Sequence, residues 1–157
     1  ENSNIEVHDV RFVTGKNIEA TIPQLKQQWF GNQKNVHIDC YMEVKHVDGY
    51  QVVLTDDPMQ TSPAGEKLYF VNLGGYAPGR FTELHEIGLF VATSPEEAKH
   101  KAKTQLMQNA VTPHKDNLME VDDCIAVDLF SENLRIQLLP KAGGQEIKPD
   151  WFGYRVI

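Results

Sequence analysis

Several things are scarce in this chain, and each scarcity removes a class of function. There are two cysteines, Cys40 and Cys124, with no C-x-x-C pair between them. That excludes a thiolate zinc ribbon, a thioredoxin-type motif and a disulfide framework. Each cysteine sits in an apolar, strand-like segment, which predicts two buried thiols. No apolar run approaches the roughly 20 residues of a membrane helix, and no stretch has the three regions of a signal peptide. The 15 basic residues are scattered among 22 acidic ones for a net charge of −7, so the clustered Lys and Arg that bind nucleic-acid phosphates are missing. The densest basic run, Lys99-His100-Lys101-Ala102-Lys103, fits the solvated face of a helix. A G-x-S-x-G nucleophile elbow, a Rossmann glycine fingerprint and an EF-hand loop are all absent from the sequence. No catalytic motif is present, so no catalytic residue is assigned. Neither nucleic acid nor a membrane is an expected partner.

What the chain does contain, it contains twice. HIDCYMEV at residues 37–44 returns as HKDNLMEV at 114–121, and the two histidines are 77 residues apart (114 − 37). The same shift carries Glu6-Val7-His8-Asp9-Val10 onto Glu83-Leu84-His85-Glu86-Ile87. One offset that aligns two distant phrases is the mark of an internal duplication.

The second copy opens with an apolar, β-prone strand, 68–73, and a turn-rich loop, Gly74-Gly75-Tyr76-Ala77-Pro78-Gly79. A strand over 83–92 follows. Ser94-Pro95-Glu96-Glu97 then reads as a helix start, with Ser94 as N-cap, Pro95 at N1 and Glu97 closing a capping box. Ala98, Ala102 and Leu106 recur at helical spacing, and strands at 118–127 and 134–138 complete a β-β-α-β-β unit.

The first copy repeats this order. It has a strand at 7–13, a helix around 18–30 with Ile22, Leu25 and Trp29 on one face, and strands at 41–47 and 50–54. Asp48-Gly49 is the expected hairpin turn. Pro23 is expected to delay or kink the helix, having no N–H to give. Phe12-Val13 matches Phe90-Val91 at a shift of 78, which makes Gly88 an extra residue and predicts a β-bulge there.

The expected fold is therefore α+β: a duplicated β-β-α-β-β unit in mostly antiparallel sheets, with one helix packed per copy. Residues 1–57 form the first repeat without its first strand, which is expected upstream of Glu1, and 58–67 the linker. Residues 68–139 form the second repeat, and 140–157 a terminal loop and strand. The whole is expected to pack as one globular unit. The final WFGYRVI is expected to pair on an open sheet edge, in its own chain or in a partner's.

The long phrases LYFVNLGGYAPGRFTELHEIGLFVA (68–92), PHKDNLMEVDDC (113–124) and WFGYRVI (151–157), with IEVHDVRFV and QQWFG in the first copy, span nearly the whole chain. On these the chain resembles a family of small bacterial proteins catalogued as a domain of unknown function. The resemblance implies a compact, cytoplasmic bacterial protein whose members begin with an LGG-containing strand. It carries no catalytic residue over.

Candidate chemistry rests on pairs two residues apart, which share a face in a strand. Glu6/His8 and Glu83/His85 are candidate ligands for a divalent metal, brought face to face from the two repeats. The structural alternative is a Glu–His hydrogen bond in each copy. His37/Asp39 and His114/Asp116 are candidate ligand contacts lying just before a strand, and each pair needs partners from elsewhere in the fold. Tyr76 and Arg80, in the Gly-rich loop, are candidate contacts for an anion. Asp122-Asp123 after Glu120 could hold a cation, although a solvated edge explains them as well. The leading functional expectation is a non-enzymatic cytoplasmic binding or scaffold protein, homodimeric, with no cofactor required. The alternative is a metal-dependent enzyme built on Glu6, His8, Glu83 and His85.

Overall fold

The computed structural model describes residues 4–57, 62, 65–108, 119–126 (backbone only), 134–143 and 146–157. Among them are two helices, α1 (Ile18–Gln28) and α2 (Pro95–Gln105), and eight strands. These are β1 (His37–Tyr41), β2 (His46–Val47), β3 (Tyr50–Thr55), β4 (Lys67–Gly75), β5 (Leu84–Ala92), β6 (Met119–Ala126), β7 (Arg135–Pro140) and β8 (Trp151–Val156). Every strand pair is antiparallel, and the sheets are ordered β1-β8, β2-β3-β7 and β5-β4-β6. The chain is α+β and internally duplicated. No helix among the described residues is long and apolar enough to cross a membrane. Two compact units form, residues 1–43 with 148–157 and residues 44–147.

The larger unit is organised by β4. Alternation along this strand sends Tyr69 and Val71 to one face, where they are buried with Phe90, Ala92, Ala98 and Ala102. Val71 and Leu73 are fully buried, and burying a Val or Leu side chain contributes about 1.5–3 kcal/mol. Helix α2 lies on this sheet through its two alanines, which let the backbone approach closely. Its start follows the sequence reading. Ser94 accepts from the Glu97 N–H, and Pro95 occupies the first turn. The Glu97 carboxylate reaches one residue further back than a capping box requires. It accepts from the Thr93 N–H and hydroxyl, at 2.8 Å each. With Lys101 alongside, those bonds push its pKa down to about 2. At the β2–β3 hairpin, Asp48 and Gly49 both have positive φ, 50° and 82°, as a type I′ turn demands.

Gly88 is not a bulge. The β4–β5 register runs unbroken from Lys67↔Ala92 to Gly75↔Leu84, with Val71 opposite Gly88. A Cβ at Gly88 would lie 2.6 Å from the Phe90 ring and 3.2 Å from Leu106, so the glycine makes room for an aromatic ring. The irregularity lies across β4 instead, where Asp122 is the unpaired position between Asn72↔Asp123 and Leu73↔Val121. Gly74 and Gly75, expected in a loop, end β4 and are buried. The turn proper is Ala77–Arg80, closed by an Arg80 N–H to Ala77 carbonyl bond with Gly79 at φ 79°.

The smaller unit holds α1, β1 and β8. Asn17 caps α1 by accepting from the Ala20 N–H, and the helix runs through Pro23 without starting late. Pro23 lies on the exposed face, where water can take the carbonyl that proline leaves without a donor. Residues 7–13, expected as a strand, form none. A strand needs a neighbour for its backbone groups, and among the described residues no strand is paired with this segment. At the end of the segment, side chains of α1 take backbone groups instead. Gln24 bonds both the N–H and the carbonyl of Thr14, and Gln28 donates to the Phe12 carbonyl. The expected strand over 41–47 is broken after Tyr41, where Asp150 binds the Glu43 N–H through its carboxylate and the Tyr41 carbonyl through its own N–H. Cys40, expected buried, is exposed, because a two-stranded ladder cannot cover every position of β1. The terminal strand pairs within its own chain, β8 on β1.

Candidate metal centre

In β1, His37 and Asp39 are two residues apart and share a face. The exposed segment 4–10 brings Glu6 and His8 to that face. His37 Nε2 is 3.3 Å from Glu6 Oε1 and 3.3 Å from Asp39 Oδ1. His8 Nε2 is 3.4 Å from Asp39 Oδ2 and 3.8 Å from Glu6 Oε2. Ligand atoms of Glu6, His8 and His37 all lie within 4.8 Å of one another. Two donors bound at about 2.1 Å to one tetrahedral ion are about 3.4 Å apart. The observed spacings are thus those of groups that could share a cation, with Asp39 joining the two imidazoles.

The orientation of the His37 ring is fixed from behind. Asn35, at φ 64°, turns the chain just before β1 and places its carbonyl 3.0 Å from His37 Nδ1. A carbonyl only accepts, so Nδ1–H donates to it, and Nε2 is the ring nitrogen turned towards the two carboxylates. Nε2 is thus the atom placed for a metal ion.

From the other side, the Tyr154 ring packs on the His37 imidazole with centroids 4.1 Å apart. A bulge puts it there. The β1–β8 register slips between Ile38↔Arg155 and Cys40↔Phe152, so Gly153 and Tyr154 together oppose Asp39. Bulges re-aim side chains in this way. Gly153, at φ 157°, is held close to Trp151, whose ring a Cβ would meet at 2.9 Å. His37 is therefore the walled ligand, its side chain 11% exposed, against 59% for both Glu6 and His8. The arrangement is a rigid half on β1 and an open half on the chain's first residues.

In the second copy, Glu83 and His85 approach to 3.5 Å, with His85 opposite Gly74 in the sheet. His114 and Asp116 lie outside the described residues, as do the side chains of Glu120, Asp122 and Asp123. Tyr76 and Arg80 are exposed, the first just before the Ala77–Arg80 turn and the second at its last position. The sequence reading left out Asn35 and Tyr154. Asn35 offers one local signal, an αL-tolerant residue two positions before a histidine, and Tyr154 lies in WFGYRVI, which was read only as a terminal strand.

The chain matches the family described as Domain of Unknown Function (DUF1543) twice, over residues 3–54 and 80–130. The two matches begin at the 77-residue offset of the internal repeat (80 − 3). No curated protein matches the sequence. Among solved structures, the chain is similar to the crystal structure of a protein Il1583 from Idiomarina loihiensis. Identity is 34%, coverage is 99% of this chain and 88% of that one, and the TM-score is 0.72. On the two family matches, which together take in more than half of the sequence, the chain belongs to the family Domain of Unknown Function (DUF1543).

Proposed function

We propose that this protein binds a divalent metal ion through Glu6, His8 and His37, with Asp39 as a fourth ligand or as the carboxylate that orients the two imidazoles. The convergence of two imidazole Nε2 atoms and two carboxylates at 3.3–3.8 Å supports this reading. Two histidines with one carboxylate suit zinc or ferrous iron, and an open side leaves positions for water or a small ligand. A bound water there would be acidified by the metal, which is the step a metal-dependent hydrolase requires. All of these side chains belong to the first copy, so the centre needs no ligand from Glu83 or His85.

A second reading, a binding or scaffold protein that works in the cytoplasm as a homodimer, draws on a different observation. Phe152, Tyr154 and Val156 on β8 are 79%, 63% and 56% exposed, so a two-stranded sheet presents large apolar side chains to solvent. The exposed thiol of Cys40 fits a reducing compartment.

Elemental analysis of protein purified without an affinity tag or chelator separates the readings. A stoichiometric metal that the His37→Ala variant lacks is the expected result. A metal-free protein that takes up no zinc, iron or manganese when these are supplied would leave the scaffold reading.

A further inference from the structure

The two halves of the centre are built differently. His37 and Asp39 stand on β1, which is paired to β8, and His37 is wedged between the Asn35 carbonyl and the Tyr154 ring. Glu6 and His8 stand on a segment that belongs to no helix or strand and is exposed from residue 4 to residue 10. That segment nonetheless carries three aliphatic side chains, Ile5, Val7 and Val10, exposed at 80%, 45% and 42%. Further along, the chain is anchored: Phe12 and Thr14 are tied to Gln28 and Gln24 of α1.

A ligand that binds only when two parts of a chain are together stabilises the state in which they are together, by its free concentration relative to Kd. Two of the three ligands in the Glu6–His8–His37 group come from the loosely built part. Resting on the metal-binding reading, we infer that the ion is a clasp. Its binding orders residues 4–10 against β1, and its removal releases them, so this segment reports metal occupancy. Glu6 and Asp39 add a second reason. Without a cation the two carboxylates share the same pair of imidazoles, and neutralising them removes a repulsion across the joint.

Backbone 15N relaxation of the full chain tests this, because it reads ordering without needing hydrogen-bonded amides. Chelator-treated protein is compared with the same protein in free zinc at about 100 times Kd, with calorimetry run in the same buffer. Order parameters of residues 4–10 are expected to rise from below about 0.6 to about 0.85 with zinc present. Those of α2 should not change. The His8→Ala variant keeps His37 and Asp39 and is expected to lose the zinc-dependent rise. If calorimetry shows zinc binding while the order parameters of residues 4–10 stay the same, the clasp is overturned and the metal site stands. If His8→Ala retains the full rise, the clasp is overturned as well. If calorimetry shows no binding, the metal-binding reading itself fails.

Discussion

The same Glu-x-His phrase has two fates in this molecule. In the second copy it lies at the start of β5, which is paired to β4 at nine positions, and Glu83 and His85 contact each other at 3.5 Å. In the first copy the matching residues, Glu6 and His8, lie in no strand and meet His37 and Asp39 as well as each other. The second copy spends the segment on a sheet. The first copy leaves it available, and a ligand set forms. Duplication repeats the residues, but the pairing of the backbone decides what their side chains can reach.

The two units differ in the same sense. Among the described residues, the largest fully buried side chains, Val71, Leu73, Val91 and Leu138, all lie in residues 44–147, whereas α1 buries only Thr21. A core truncation should therefore be far more damaging in the larger unit. Leu73→Ala is expected to cost about 2–5 kcal/mol in denaturant unfolding, the range for a large-to-small change at a site that cannot collapse. Ile22→Ala, on a half-buried face of α1, should cost less than half as much as Leu73→Ala. Equal losses would mean that the smaller unit has a core of its own.

Gly88→Ala sharpens the contrast between glycine as bulge and glycine as space. A methyl pressed against the Phe90 ring should cost about 1–3 kcal/mol, as overpacking does. A bulge glycine at ordinary φ would accept alanine at little cost.

Ser94→Ala removes the α2 cap and should cost about 1 kcal/mol by thermal unfolding. The neighbouring Glu97 gives this helix end a pH signature. Its folded-state pKa, about 2, lies below the ordinary carboxylate value of 4.5, so its contribution is present above that ordinary value and is lost as pH falls from there towards 2. Glu97→Gln should flatten that part of the stability profile.

The smallest effect on stability is expected at the proposed centre. His37→Ala removes the packing on Tyr154 and the bond to the Asn35 carbonyl, and should cost about 0.5–1 kcal/mol in unfolding because both partners are solvent-exposed. Its effect on metal affinity should exceed the roughly 10–100-fold typical of a lost outer-shell partner.

Much of this fold was legible from short-range chemistry. The 77-residue offset, the Ser94-Pro95 helix start and the Asp48-Gly49 turn are local signals, and each appears where local physics puts it. What failed depended on partners. Residues 7–13 have strand composition, but a strand exists only beside another. Gly88 looked like an insertion because it was counted against a copy that does not form the strand. The site was half legible. Glu-x-His and His-x-Asp each stood out, and the second was read as needing partners from elsewhere. Their meeting within one copy was not foreseen, because the matching Glu/His pairs of the two repeats drew attention across the duplication. Asn35 and Tyr154 act through a carbonyl direction and a register slip, neither of which is written in composition.

The asymmetry between the copies is tested most directly by calorimetric zinc titration of three proteins: the parent, His37→Ala and His85→Ala. The account predicts that His37→Ala abolishes a binding event seen in the parent, and that His85→Ala leaves that event at the parent's affinity. Loss of the event in His85→Ala with retention in His37→Ala would place the metal in the second copy and contradict the account.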